Sequence, residues 1–339
     1  MSHISSLTVS RREFLRRSAV GVAGASIGFG LAQVAPAAAG KRIPVGLQLY
    51  SLREECAKDL PGMLAAVSKI GYKGVEFAGY HGRSAQDLRK MLDDNGLVAC
   101  GTHTPYESIQ GDKLKETVDF NRTIGNKYLI VPWMNETESK QEWLARAKLF
   151  NNVAQTVKPD GMWVGYHAHA HDFKAIEGVS AWDLFFGNTR PEVIMQLDTS
   201  NCREGGADPV AVLKKYPGRA QTIHIKAHGA GPEGLIGEGD VDWKAVFAFC
   251  EGKGKTQWYV VEHETSKDRL DAVKRNFEAL KKMGRCSDPP SAFDRRLEVC
   301  WQAVESNAAR IWPSSSRKAA RQAQRLSIVC ASLKMHKSR

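Results

Sequence analysis

The chain has 339 residues, 42% hydrophobic and 25% charged, a composition that excludes a disordered or collagen-like polymer and suffices for a large core. Its net charge of +11 sits at the ends: residues 1–42 carry a net +5 and residues 286–339 a net +6, which leaves residues 43–285 neutral. A basic excess outside the candidate folded body gives that body no track for nucleic acid, so none is expected as a partner.

Residues 1–39 read as an export signal. Ser10-Arg11-Arg12-Glu13-Phe14-Leu15 resembles the twin-arginine motif, an apolar run extends from Ala19 to Val34, and Pro36-Ala37-Ala38-Ala39-Gly40 offers a small-residue cleavage site after Ala39. The run is short and broken by glycines, unlike a spanning helix. The resemblance implies export of a folded protein to the periplasm or beyond, with no membrane insertion once the signal is removed.

From residue 43 the chain alternates. Short apolar runs cover 43–49, 74–78, 97–101, 127–131, 162–166, 193–198, 220–225 and 257–262. Between them, 59–70, 84–95, 110–125, 139–158, 179–187, 207–216, 242–252 and 266–283 fit helices, and Gly71, Gly96, Gly125 and Gly161 stand where helices should end. Eight strand–helix repeats point to an α/β fold, a closed (β/α)8 TIM barrel over residues 43–285. A doubly wound open sheet is the alternative, but the first strand runs into Gln48-Leu49-Tyr50-Ser51 and no GxGxxG or GxxxxGK[ST] occurs.

Residues 286–339 break the pattern. Pro289-Pro290, Arg295-Arg296 and Ser314-Ser315-Ser316 sit in a basic, low-order extension that reads either as a tail for an anionic surface or as a coding artefact. Seven cysteines at 56, 100, 202, 250, 286, 300 and 330 contain no CxxC, so the four inside the barrel read as small buried packers.

In a barrel, chemistry belongs at the C-terminal strand ends. There the sequence places Glu76, His103, His167-Ala168-His169-Ala170-His171-Asp172, Asp198-Thr199-Ser200-Asn201, His224-Ile225-Lys226 and Glu262-His263-Glu264. His, Asp and Glu on neighbouring strands suit a divalent cation held by nitrogen and oxygen. His167, His169 and His171 share one strand parity and would all point inward if the strand continued, but a strand ending by His169 leaves His171 and Asp172 to a loop. Alternation pairs His224 with Lys226 and Glu262 with Glu264 on the inner side, and turns His263 toward the helices. Tyr50 and Trp133 are candidate apolar walls for a sugar face, and Asn201 a candidate substrate contact. Phe77 reads as core, Trp163 and Trp258 as packing between barrel and helices, and Arg219 as a stabilising residue at the far end of the barrel.

Val45-Gly46-Leu47-Gln48-Leu49-Tyr50-Ser51, Gly74-Val75-Glu76-Phe77, Tyr166-His167-Ala168-His169, Gln196-Leu197-Asp198, Gly205-Gly206-Ala207-Asp208-Pro209, His224-Ile225-Lys226, Gly237-Glu238-Gly239 and Val260-Val261-Glu262 together resemble the xylose isomerase-like TIM-barrel superfamily. Within it, the chain is similar to the sugar phosphate isomerase/epimerase family in its exported twin-arginine branch. The resemblance implies one divalent metal ion, manganese first with zinc, cobalt or magnesium as alternatives, on His167, Asp198, His224 and Glu262. Many members have glutamate at the first position, so His167 is a departure and His169 the alternative. Ala168, the neighbourhood of Lys174, and Ala227 depart from the branch as well.

The resemblance further implies a metal-dependent isomerase or epimerase acting on a ketose or keto-sugar through an enediolate stabilised by the cation. Glu262 would serve as ligand and base, and His103, His169 and Glu76 as acid/base and hydroxyl-binding groups. Lys226 would be a fixed positive charge beside substrate oxygens. Alternatives on the same scaffold are a 3-keto-glycoside lyase or hydrolase, an inosose-type dehydratase, and a non-catalytic periplasmic sugar-binding module. The partner is a small carbohydrate, and a homo-oligomer is left open.

Overall fold

The computed structural model describes residues 42–286. The export signal and, save its first residue, the C-terminal extension lie outside them.

Eight parallel strands form the barrel: β1 (Val45–Gln48), β2 (Gly74–Phe77), β3 (Val98–His103), β4 (Tyr128–Val131), β5 (Trp163–His167), β8 (Ile194–Gln196), β9 (Thr222–Ile225) and β10 (Trp258–Val261). A two-residue hairpin, β6 (Ala175–Ile176) and β7 (Val179–Ser180), sits in the connection after β5. Continuous ladders run from β8 through β5, β4, β3, β2, β1 and β10 to β9. The ring closes between β8 and β9 through the Asp198–His224 bridge, where His224 N donates to Leu197 O at 2.9 Å and Met195 N to Arg219 O at 2.8 Å. This is a (β/α)8 barrel of the expected kind, and each expected strand is found within a few residues of its predicted range.

The helices follow local capping chemistry. Ser84, Ser139, Ser180 and Asp208 accept a backbone N–H from the first turns of the helices Ala85–Asn95, Lys140–Val157, Ala181–Phe186 and Pro209–Lys215. The helix Arg53–Ile70 begins earlier than the sequence suggested and breaks at Asp59 (φ −148°), whose carboxylate caps the second half by accepting from Gly62 N at 2.9 Å. Pro61 then falls in a first turn, where its missing N–H costs nothing. A short helix, Thr199–Glu204, is added directly after Asp198. No helix among the described residues is long and apolar enough to cross a membrane.

Strand alternation builds two cores. Outward residues such as Leu47, Phe77, Leu129, Tyr166, Ile223 and Val261 pack with Leu64, Leu88, Phe150, Phe185, Val246 and Phe277 from the helices. Full burial of side chains of this kind is worth about 1.5–3 kcal/mol each. The inner core is small: Tyr128, Ile130 and Ile194, with Trp163 and Trp258 packed on them. The two tryptophans therefore plug the barrel bore and do not pack between barrel and helices. Trp163 shares the facing of His167 on β5, and Trp258 stands four residues before Glu262 on the same side. Arg219 is buried and donates to the carbonyls of Val193 and Phe186, a structural role at the barrel's N-terminal end. Cys56, Cys100, Cys202 and Cys250 are buried and unbridged.

Candidate metal centre and active site

Above the aromatic plug lies a buried polar layer. Glu76, fully buried, is its hub. Its Oε1 accepts from Gln196 Nε2 at 2.8 Å, and its Oε2 accepts from Gln48 Nε2 at 2.8 Å and pairs with His224 Nε2 at 2.6 Å and His103 Nε2 at 3.2 Å. Gln196 Nε2 also donates to Thr222 Oγ1 at 3.0 Å, which leaves Gln196 Oε1 facing His167 Nδ1 at 3.0 Å and His103 Nε2 at 3.2 Å. That acceptor makes His167 Nδ1 the protonated nitrogen and leaves Nε2 with a lone pair. The carboxylate that large apolar burial would push toward neutrality stays ionised, because His103 and His224 hold the Glu76 pKa well below the ordinary range.

Glu76 needs space that only glycine provides. A Cβ on Gly101 would stand 2.2 Å from Glu76 Oε1, so the close approach of β3 to this carboxylate excludes any side chain.

On this layer stand His167, Asp198, His224 and Glu262, each offering one ligand atom, all four atoms within 4.8 Å of one another and all four residues buried. His103 forms a second such group with His167 and His224; His169 belongs to neither. The donors fit a divalent cation on two observations. Asp198 Oδ1 caps the following helix by accepting from Asn201 N at 2.8 Å, but its buried Oδ2 has no hydrogen-bond partner, which would be costly without a cation to face. His224 Nδ1 lies 3.8 Å from that Oδ2 and 3.2 Å from Glu262 Oε2, while Nε2 is held by Glu76. A histidine ligating through one nitrogen and donating the other N–H to a carboxylate is the usual outer-shell arrangement of metal sites. Burial lifts Asp198 to about 6, opposed by Lys226 and His224 and augmented by repulsion from Glu262.

A cavity of about 410 Å³ opens over these residues, lined by Tyr50, His103, Trp133, His167, His169, Asn201, Glu262 and Glu264 among others. Trp133 and Tyr50 are among the exposed large hydrophobic residues, at 48% and 44%. The Trp133 ring lies 4.7 Å from His169 and 4.5 Å from His171, centroid to centroid. Beyond β5 the chain turns through Ala170–Phe173, where Asp172 accepts from His169 N at 2.7 Å and Tyr166 Oη at 2.8 Å; this turn fixes the backbone of His169. Burial, then His171, pushes His169 down to about 4, so it is neutral at physiological pH, and its buried Nδ1 is unpartnered. Lys226 is held charged: Asp198, Glu262 and Glu264 outweigh its burial and raise its pKa. Its Nζ pairs with Glu264 and lies 3.9 Å from Glu262, so it is a fixed cation and not a solvated strand-end lysine. His263 turns away, toward Pro232 O at 3.1 Å and Asn276 Nδ2 at 3.3 Å.

Of the residues given a metal, acid/base or substrate role from the sequence, the cavity gathers Tyr50, His103, Trp133, His167, His169, Asn201 and Glu262. Glu76, Asp198, His224 and Lys226 do not line it, and neither do the strand-end residues His171 and His263. Glu76 does not line the cavity; its place is under His224 and His103. Gln48, Gln196 and Thr222 were not singled out as site residues, and Glu264 was placed on the inner side without a role. Their signal was available: each stands two residues from a named inward group or shares its strand parity.

The comparisons with known proteins agree with this geometry. The family model described as xylose isomerase-like TIM barrel matches residues 64–283. An inosose dehydratase of Clostridium tetani (strain Massachusetts / E88) is 24% identical over 260 residues, covering 64% of this chain and 86% of the relative. Two crystal structures of sugar phosphate isomerase/epimerases from Parabacteroides distasonis ATCC 8503 are 28% and 25% identical, with TM-scores of 0.63 and 0.64; they cover 71% and 72% of this chain and 98% of each structure. A four-donor cluster on this scaffold makes the chain an enzyme, and the chain belongs to the xylose isomerase-like TIM-barrel family.

Proposed function

We propose that the chain is a divalent-metal-dependent lyase that removes water from a cyclic keto-sugar of the inosose type. The reading rests on the neutral, unpartnered His169 imidazole standing in the cavity over the His167–Asp198–His224–Glu262 cluster. The likeness to inosose dehydratases supports it over most of their length. When bound there, a cation supplies Lewis-acid polarisation of a carbonyl oxygen. Manganese is the proposed ion, since two imidazoles and two carboxylates form a donor set of intermediate softness.

The side chains move the proton. His169 Nδ1 takes the proton from the carbon beside the carbonyl, and that C–H electron pair becomes the C=C bond of an enolate. As the carbonyl re-forms, that pair moves to the bond toward the next carbon and expels its hydroxyl, which takes the proton back from His169, so one water is lost and an α,β-unsaturated ketone is left. His169 is better suited as this base than Glu262, whose burial is outweighed by His224 and Lys226 so that its pKa stays low. Lys226 holds positive charge beside the substrate oxygens, and Trp133 and Tyr50 cover the apolar face of the ring.

The test is incubation of the Mn²⁺-loaded protein with inosose in D₂O. Loss of one water by mass, abolished in His169→Ala with metal content intact, is the expected result; neither water loss nor deuterium uptake would overturn the reading. The likeness to isomerase/epimerases favours a second reading, epimerisation of a ketose or keto-sugar, whose mark is deuterium uptake without water loss. We also propose that residues 43–285 form the catalytic domain and that residues 1–39 direct export by the twin-arginine route. Replacing Arg11-Arg12 by Lys-Lys should leave the protein in the cytoplasm.

A further inference from the structure

A second cavity, of about 540 Å³, adjoins the one over the metal cluster and shares Pro132 and Trp133 with it. Trp133 is therefore a partition with a chamber on each side, half-exposed for a residue of its size. Deep in the second chamber sits Arg146, 5% exposed. Its guanidinium donates through Nη2 to Asn135 O at 2.8 Å, pairs with Glu142 and lies over the Trp143 ring at 4.6 Å, but Nη1 is buried with no hydrogen-bond partner. A buried guanidinium N–H left unpaired costs on the scale of a lost charge-assisted hydrogen bond, and its host residue lines the cavity.

We propose that this chamber is a second sugar subsite, so that the substrate is a two-ring glycoside whose keto ring lies over the metal cluster and whose other ring lies beyond Trp133. The inference rests on the reading of the metal centre as the seat of a keto-sugar ring. The chamber's chemistry selects a neutral polyol. Glu107 and Glu142 bring two carboxylates against the single guanidinium, which disfavours an anionic occupant. Sugar hydroxyls donate and accept at once, and so match the free Arg146 N–H and the carboxylate acceptors together. Tyr106 and Trp133 supply the aromatic faces on which the apolar side of a pyranose packs.

Binding of unreactive probes tests the subsite without requiring turnover. Isothermal titration of the Mn²⁺-loaded protein compares myo-inositol with galactosyl-inositol, and methyl α-glucoside with trehalose. At least one two-ring probe should bind tenfold or more tightly than its one-ring counterpart. Arg146→Met should erase that gain and leave the one-ring affinity within twofold. Ala145→Trp, on an exposed position lining the chamber, should do the same by filling it, and serves where Arg146→Met does not fold. Equal affinity for one-ring and two-ring probes overturns the subsite, as does a gain that survives Ala145→Trp. Failure of water loss and deuterium uptake would sink the lyase and epimerase readings and leave this comparison standing.

Discussion

Replacing Glu76 by glutamine tests whether the buried polar layer orients the metal ligands. The carboxylate accepts on both oxygens: from Gln196 on Oε1, and from Gln48 and His224 on Oε2. A glutamine must turn its NH₂ toward one of these sides. Turned to Oε2, it sets a donor against Gln48 and His224 Nε2. Turned to Oε1, it opposes the Gln196 amide, and a flip of that amide would remove the acceptor that holds His167 Nδ1 and His103 Nε2. Either way at least one ligand imidazole loses the partner that fixes its tautomer. Loss of such a partner weakens metal affinity about 10–100-fold, or about 1.4–2.7 kcal/mol. The assay is titration of metal-free wild type and Glu76→Gln with Mn²⁺, alongside melting curves with saturating metal and with EDTA. The metal-induced stabilisation should shrink by the same free energy as the affinity. A dissociation constant within twofold of wild type would refute the argument, and so would a variant whose stability loss is identical with metal and with EDTA.

Asp198→Asn should abolish metal-induced stabilisation while leaving the melting temperature in EDTA unchanged or higher, because it neutralises a buried oxygen that has no hydrogen-bond partner. Gly101→Ala should cost about 1–3 kcal/mol by urea unfolding, since its methyl would meet Glu76 Oε1, and it should weaken Mn²⁺ binding as well. Arg219→Met should lower the urea midpoint by stranding the carbonyls of Val193 and Phe186, yet leave metal affinity unchanged, because the residue lies at the opposite end of the barrel. Burial pushes Asp172 up to about 7 from an ordinary 3.8; the raised value means its stabilising contribution is full below about pH 4 and is lost as pH rises through 7, by up to about 4 kcal/mol. Asp172→Asn should flatten that slope between urea midpoints measured at pH 5 and pH 8; an unchanged slope would exclude Asp172 as its source.

Much of the fold was legible because its two periodicities are strong. Apolar runs mark all eight strands, glycine stops precede four of them, and strand parity places His224 with Lys226 and Glu262 with Glu264. The same parity, applied further down β5 and β10, puts Trp163 and Trp258 inside the bore and not between barrel and helices, because the barrel floor needs bulk. The polar layer was harder to see, since Gln48, Gln196 and Thr222 are uncharged and become informative only when neighbouring strands set them around Glu76. The chamber beyond Trp133 was not legible at all. Arg146 is one basic residue on an amphipathic helix, and it is its contacts with Trp143, Glu142 and the loop after β4 that bury it.

One element escaped the alternation rule for a definite reason. Cys100 points into the bore, where Cβ atoms on Gly46 and Gly74 would strike it at 2.5 and 3.0 Å. Strict alternation would then send Thr102 inward and His103 out among the helices. The ladder between β2 and β3 instead shifts register between Val75 and Glu76, pairing Val75 with Ala99 but Glu76 with Gly101. The extra residue resets the phase of β3: Thr102 turns outward to bond Asn121 and Asn126, and His103 turns inward to Glu76 and Gln196. Bulges of this kind re-aim side chains next to active sites. Here a single unpaired residue delivers an imidazole to the cavity, and the glycine that follows it makes the space in which Glu76 stands.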